Sequence, residues 1–297
     1  MKPHVPTALL RSVLYVPGSN PKTLAKAPTL DADGLILDLE DSVAPEAKLQ
    51  ARHNILEFLQ ATGADHRQTR VVRINGTQTE LWRDDLITTL PGKPAAILLS
   101  KVESPASLAG PAALLDQLEP IHDASCGLWA MIETPLGVLN ALAIAQHPRV
   151  TCLVMGTSDL TRALAIPGDP QRIGLRHALQ QTLLAARAAG VRILDGVFVQ
   201  LRDPQGFLDE CHDGARLGFD GKTLIHPSQI APANQTFLPS PEEAALARRI
   251  LETWNAARSR GEEICVVDGQ LVERLHADQA AQRLARWEQA QKSDQNP

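Results

Sequence analysis

Residues 127–161 read GLWAMIETPLGVLNALAIAQHPRVTCLVMGTSDLT. Two short apolar runs rich in Leu, Val, Met and Trp, GLWAMI and TCLVM, each stop at a proline or a Ser/Thr cluster where a helical pattern takes over. That is the strand-then-helix unit of an α/β protein, with the helical run 136–146 between the two strands. If the runs are neighbouring parallel strands, their C-terminal ends share one face of the sheet, and Glu133 and Asp159 emerge on one rim. Two hard carboxylate oxygens on one rim suit Mg²⁺, which takes one or two carboxylates and fills its octahedron with water and substrate oxygens. The competing reading is that each acid caps the helix that follows it. The paired placement favours the metal.

The same unit repeats outward from this stretch. RSVLYV (11–16) closes at Pro17-Gly18, and Ser19-Asn20-Pro21 opens a helix with a capping residue before proline. GLILDLED (34–41) precedes a helical run 42–59, RVVRIN (70–75) precedes 80–90, and AAILLSKVE (95–103) precedes a helix after Ser104-Pro105. Beyond 161, a helix over 174–189 leads to RILDGVFVQ (192–200), a helix over 204–217, and FDGKTLIH (219–226), ended by Pro227. Eight such units without a GxGxxG or GKT/S loop predict an α/β fold, a (β/α)₈ TIM barrel over residues 1–230, rather than a doubly wound sheet. Past Pro227, Pro232, Pro239 and Pro241 punctuate a connection into a helix over 242–259, a hairpin ICVVDGQLVE turning at Asp268-Gly269, and a helix over 277–289. This extension, 231–297, is too small to hold a core of its own and is expected to act as a lid or oligomerisation element, with QKSDQNP (291–297) as a frayed end.

Composition sets the class. The chain has 297 residues, 44% hydrophobic and 21% charged, as ordinary globular material does. A net charge of −5 and 3% aromatic residues advertise neither a phosphate-tracking surface nor a base-stacking platform, so no nucleic acid partner is expected. Four scattered cysteines form no CxxC pair and read as buried thiols of a reduced protein. MKPHVPTALLRS lacks the apolar core of a signal peptide, and no window approaches the ~20 apolar residues of a membrane span. A cytoplasmic protein with no membrane partner is the expectation.

Polar residues gather at the strand ends: Tyr15; Asp38, Glu40 and Asp41; Arg73; Lys101 and Glu103; Glu133; Asp159; Lys222 and His226. Arg73 lies in an apolar strand, and a buried guanidinium needs an anion, either one of these acids or a substrate carboxylate. Strand alternation points Asp38 and Glu40 to one side and Asp41 to the other, so at least one is expected to pair with Arg73 or Lys101. Lys22 and Lys26, four apart on the first helix, share a face and with the helix N–H groups could meet a bound phosphate. Their alternative is a solvated face.

LYVPGSNPKTLAK, LDLEDSV, VRIN, LLSKVES, MIETPLGV, VMGTSDLT and KTLIHPSQI, in this order, resemble the citrate lyase β-subunit-like family of the HpcH/HpaI aldolase superfamily, which includes malyl-CoA and citramalyl-CoA lyases. The resemblance implies a TIM barrel assembling as a homotrimer or hexamer, with Glu133 and Asp159 as Mg²⁺ ligands and Glu133 at the substrate. It implies that Arg73 holds the oxo-acid carboxylate and that Tyr15, Lys22 and Lys26 line the acyl-CoA site. Family members with a C-terminal lid carry an acid in a pattern like DGxMIDxP that reaches a neighbour's active site. Here DGQLVERL places Glu273 there, one methylene longer and without the proline. The implied reaction is a Mg²⁺-dependent, reversible Claisen-type cleavage of a malyl-, citramalyl- or citryl-CoA type 3-hydroxyacyl-CoA to acetyl-CoA or a relative and a 2-oxo acid. Glu273 would serve as the acid that meets the departing enolate, and Arg73 as the group that orients the other end. Two further readings stay open: a metal-dependent aldolase on free hydroxy-oxo-acids, with Lys22 and Lys26 as mere surface charge, and a citrate lyase β subunit whose substrate is carried by a partner protein.

Overall fold

Eight short parallel strands close on themselves in the computed structural model, which describes residues 8–63 and 67–295. They are β1 (Ser12–Pro17), β2 (Gly34–Asp38), β3 (Thr69–Ile74), β4 (Ala96–Leu99), β5 (Gly127–Ile132), β6 (Val150–Met155), β7 (Arg192–Asp195) and β8 (Gly221–Leu224), paired in chain order. β8 closes the barrel on β1 with Ser12 opposite Lys222, and β5 lies beside β6 with Ile132 opposite Met155. The (β/α)₈ barrel read from the sequence is the fold.

Between the strands run α1 (Pro21–Lys26), α2 (Lys48–Thr62), α3 (Leu81–Thr89), α4 (Ala106–His122), α5 (Pro135–Leu139), α6 (Ala141–Ala145), α7 (Thr157–Ala163), α8 (Arg176–Ala189), α9 (Pro204–Leu217) and, after β8, α10 (Ile230–Thr236). One set of strand residues, including Val13, Ile36, Val71, Leu98, Met131 and Val154, fills the barrel interior. The alternate set, including Leu14, Leu35, Val72, Ile97 and Leu153, packs outward in a larger cluster with helix residues such as Ile55, Leu86, Leu108 and Leu179. Period-two alternation therefore builds two cores from the same strands.

Several boundaries differ from the sequence reading, each for a local reason. The run 34–41 stops being strand at Asp38, because that carboxylate accepts the N–H groups of Glu40 (2.9 Å) and Ser42 (3.1 Å) and turns the chain. The helix expected from 42 starts at Lys48: Pro45 holds Ala44 extended and only a short 3₁₀ turn, Pro45–Ala47, precedes α2. The run 136–146 is two short helices, broken at Asn140, whose side-chain amide donates to the Glu103 carbonyl at 2.7 Å. The fourth, seventh and eighth runs likewise hold only the strands Ala96–Leu99, Arg192–Asp195 and Gly221–Leu224.

The first compact unit ends at Phe237 rather than at 230, because α10 is tied to the barrel: Asn234 accepts from the Ser12 hydroxyl (2.7 Å) and donates to the Asp31 carbonyl (2.7 Å). The second unit, from Leu238, holds α11 (Pro241–Ser259), the antiparallel hairpin β9 (Cys265–Val267) and β10 (Gln270–Val272), and α12 (Arg274–Gln295). Ser240 and Glu243 form a reciprocal capping box that starts α11. A small apolar cluster in this unit gathers Trp254, Val267, Val272 and Ala277. α12 is longer than the 277–289 expected; of the end read as frayed, Asn296 and Pro297 lie outside the described residues, as does most of the segment read for a signal peptide. Among the described residues, no helix is long and apolar enough to cross a membrane.

Candidate active site

The interior period continues upward into polar residues. Val13 is followed on the same face by Tyr15, Ile36 by Asp38, Val71 by Arg73 and Met131 by Glu133. These four side chains therefore form the top layer of the barrel interior, where a barrel keeps its chemistry. With Asp41, Ser42, Thr157, Ser158, Asp159, Thr223 and the apolar Met155, Val197 and Ile225, they line a cavity of about 340 Å³.

Arg73 is paired within the chain. Its Nε and Nη2 donate to the two oxygens of Asp38 at 2.6 Å each, its Nη1 lies 3.0 Å from Glu40, and Asp41 stands 3.5 Å away. The Tyr15 ring lies beneath the guanidinium, 4.9 Å from its centroid to the guanidinium carbon. Asp38 also accepts the Ser42 hydroxyl at 2.5 Å, so both its oxygens are occupied within the chain. Glu40 takes the Ser100 hydroxyl on Oε1 at 2.9 Å, while its buried Oε2 has no hydrogen bond. Burial raises the Glu40 carboxyl against the pull of Arg73. All three acids of LDLED thus face Arg73, against the split that alternation suggested, because the chain turns at Asp38; none holds Lys101, whose side chain is exposed.

Glu133 follows β5 and is buried, while Asp159 sits in the first turn of α7. Neither is a helix cap: Thr134 caps α5 with its own hydroxyl, and Asp159 pairs with the exposed Arg162. Glu133 Oε1 accepts the main-chain N–H of Lys101 at 2.7 Å. Burial pushes its carboxyl up to about 7; the Lys101 N–H works against this, and the nearby charges of Asp159 and Glu40 add to it. Two carboxylates thus line one cavity, and the buried one is pushed up by its surroundings. Among the described residues no group of three or more His, Cys, Asp or Glu side chains is placed to hold a metal ion, which disfavours a zinc-type site built wholly from protein ligands. Two carboxylates with open coordination fit Mg²⁺.

The remaining candidates separate. Lys22 and Lys26 are exposed on α1, but the helix N-terminus is not open as expected: the Asn20 side chain accepts the N–H groups of Lys22 (3.2 Å) and Thr23 (3.3 Å). Lys222 is not at the rim. It is fully buried near the start of β8, bonded to Asp195 (3.1 Å) and Glu210 (2.6 Å) in a network that includes Arg172. His226 caps the 3₁₀ turn after β8. Glu273, in the second unit, is exposed between β10 and α12; its main-chain N–H donates to His276 Nδ1 at 3.1 Å. The sequence reading missed Ser42, Thr157 and Thr223 as lining residues and Gly156, where a Cβ would collide with Glu133. A glycine directly after TCLVM was the available signal for that close approach. A larger cavity, about 430 Å³, opens at the other end of the barrel around Trp129, Cys152 and Arg192. Its one acid, Glu119, is already bound to Arg149 and the Cys126 N–H.

Residues 11–227 match the family HpcH/HpaI aldolase/citrate lyase. A (3S)-malyl-CoA thioesterase of Cereibacter sphaeroides is 46% identical over 278 residues, 94% of this chain and 94% of that protein. A citrate lyase subunit beta of Leuconostoc mesenteroides subsp. cremoris is 33% identical over 90% of this chain and 89% of its own length. Among solved structures, the protein CitE of Mycobacterium tuberculosis, in complex with magnesium, acetoacetate and coenzyme A, superposes with a TM-score of 0.76 and 33% identity, covering 95% of this chain and 99% of that one.

Proposed function

The chain belongs to the HpcH/HpaI aldolase/citrate lyase family, and on that premise we propose that it cleaves the coenzyme A thioester of a short 3-hydroxy acid with a second carboxylate, the malyl type. The observation that carries the reading is the convergence of Glu133 and Asp159 on one cavity with Arg73. Glu133 and Asp159 would hold Mg²⁺, whose positive charge would stabilise an oxyanion on the bound acid. Arg73, held flat between Asp38 and the Tyr15 ring, orients the carboxylate end, with Glu40 as the partner that yields to substrate. Lys22 and Lys26 supply positive charge for the phosphates of coenzyme A, and Glu273 is proposed for proton transfer, as the resemblance implies.

Two bonds of such a substrate can break. In hydrolysis a water oxygen adds to the thioester carbonyl, the C–S bond breaks, and the thiolate leaves with a proton to give the free hydroxy acid and coenzyme A. In lysis the hydroxyl gives up its proton and becomes a carbonyl, the adjacent C–C bond breaks, and the resulting thioester enolate takes a proton. Hydrolysis is the first reading, supported by 46% identity to a malyl-CoA thioesterase along 94% of both chains. Lysis is the second reading, favoured by the citrate lyase relative.

Product analysis decides. Purified protein with Mg²⁺ is offered malyl-, methylmalyl-, citramalyl- and citryl-CoA. Free coenzyme A with the intact hydroxy acid is the expected result, whereas acetyl-CoA or a relative with a 2-oxo acid selects lysis. Turnover of free hydroxy-oxo-acids alone, or of a carrier-bound thioester alone, would overturn the coenzyme A reading.

A further inference from the structure

Among the described residues, six non-glycine positions have positive φ, and five of them, Lys93, Asp123, Ala165, Arg172 and Asp268, lie at helix ends or in the hairpin turn. The sixth, Lys101 at φ +50°, follows the end of barrel strand β4. A left-handed conformation is disfavoured for a residue with a side chain, so something at this rim holds it. Lys101 donates its main-chain N–H to Glu133 Oε1 at 2.7 Å. On either side of it, the Val102 N–H donates to the Met131 carbonyl at 3.2 Å and the Ser100 hydroxyl to Glu40 at 2.9 Å. The turn is thus stitched to β5 and to the acid beside Arg73, while the lysine side chain is exposed. Gly156, whose N–H donates to the Ile132 carbonyl at 3.0 Å, closes on Glu133 as well. A Cβ on Gly156 would stand 2.6 Å from Glu133 Oε2 and nearer still to its Cβ.

We propose that Lys101 is a positioning residue acting through its main chain: its left-handed turn and the bare face of Gly156 hold the Glu133 carboxylate with Oε1 occupied and Oε2 left for a divalent cation. This rests on the reading of Glu133 as a Mg²⁺ ligand.

Mg²⁺ calorimetry on the full-length protein, with thermal unfolding to verify folding, tests it. Lys101→Gly keeps the N–H and accepts positive φ, and Lys101→Ala keeps the N–H without the ammonium; both should bind Mg²⁺ within about twofold of wild type. Lys101→Pro removes the donor and locks φ near −65°, and Gly156→Ala crowds the carboxylate from the other side; each should weaken Mg²⁺ binding about tenfold or more. Wild-type affinity in folded Lys101→Pro or in Gly156→Ala overturns the proposal, as does a loss in Lys101→Ala equal to that in Lys101→Pro. Should the proline variant not fold, Gly156→Ala and Lys101→Ala decide. Glu133→Gln separates the two levels: if it too binds Mg²⁺ normally, the metal reading falls; if it alone loses binding, only the positioning role does.

Discussion

Asp38 and Arg73 stand opposite one another on adjacent barrel strands, and the carboxylate grips the guanidinium through two hydrogen bonds of 2.6 Å. Both are buried. Burial alone would raise the Asp38 carboxyl, but the bonds and charge of Arg73, with those from Ser42 and Glu40, outweigh it and hold the group below the usual carboxylate range. Asp38 therefore grips Arg73 by two hydrogen bonds, whereas Glu40 meets it through a single ion pair. Removing Asp38 leaves a buried guanidinium short of its main partner, so Asp38→Ala should lose about 3–5 kcal/mol in urea unfolding. Wild-type stability would mean that Glu40 and Asp41 take over the guanidinium.

Glu133 makes metal-free protein sensitive to pH in the opposite sense. Its folded carboxyl titrates near about 7, whereas an unfolded glutamate does so near about 4.3. Between these values the folded state holds a proton that the unfolded chain has released, so stability falls as pH rises and stays low above about 7. Metal-free Glu133→Gln should escape this cost. Thermal unfolding in chelator should show it more stable than wild type at pH 8, with the advantage shrinking toward pH 5. The difference should not exceed ~1.4 kcal/mol for each pH step between the folded and unfolded titration points. A pH-independent difference between the two proteins would show that Glu133 is not strained by its surroundings.

Lys22 and Lys26 face solvent, so any attraction to coenzyme A acts through water and is screened by salt. Replacing both with alanine should weaken CoA-ester binding, and the wild-type advantage should grow as ionic strength is lowered. Affinity for a free 2-oxo acid should stay unchanged. Normal CoA-ester affinity in the double variant would leave the pair as surface charge and favour an aldolase on free acids.

The barrel was legible because an apolar run followed by a helical pattern, repeated eight times, admits few other arrangements, and Glu133 was legible because it ends such a run. The division of labour among Asp38, Glu40 and Asp41 was not. It depends on the register of β2 against β3, which sets Asp38 opposite a residue 35 positions away. Lys222 was misplaced for a related reason: β8 begins at Gly221, not at Phe219, so the lysine falls near the strand start and points at Asp195 and Glu210 rather than at the rim. The Lys101 turn was invisible, since side-chain types do not announce which residue will take positive φ outside glycine and asparagine.

Glu273 carries the last prediction. It is exposed where β10 meets α12, its carbonyl accepts the N–H groups of His276 and Ala277, and no residue among those described binds its carboxylate. The proton-transfer role proposed for it would be exercised, as the lyase resemblance implies, in a neighbouring subunit's active site. Glu133→Gln and Glu273→Gln proteins should each be inactive. Mixed under conditions where subunit exchange is verified, they should regain part of the activity, since some sites would combine an intact metal ligand from one chain with an intact acid from another. No recovery despite exchange would mean that Glu273 serves its own barrel or moves no proton. Glu273→Asp refines the answer: restored or increased turnover of a substrate that wild type cleaves slowly would show a carboxyl held ~1 Å from its productive position, a misplacement that costs rate without costing fold.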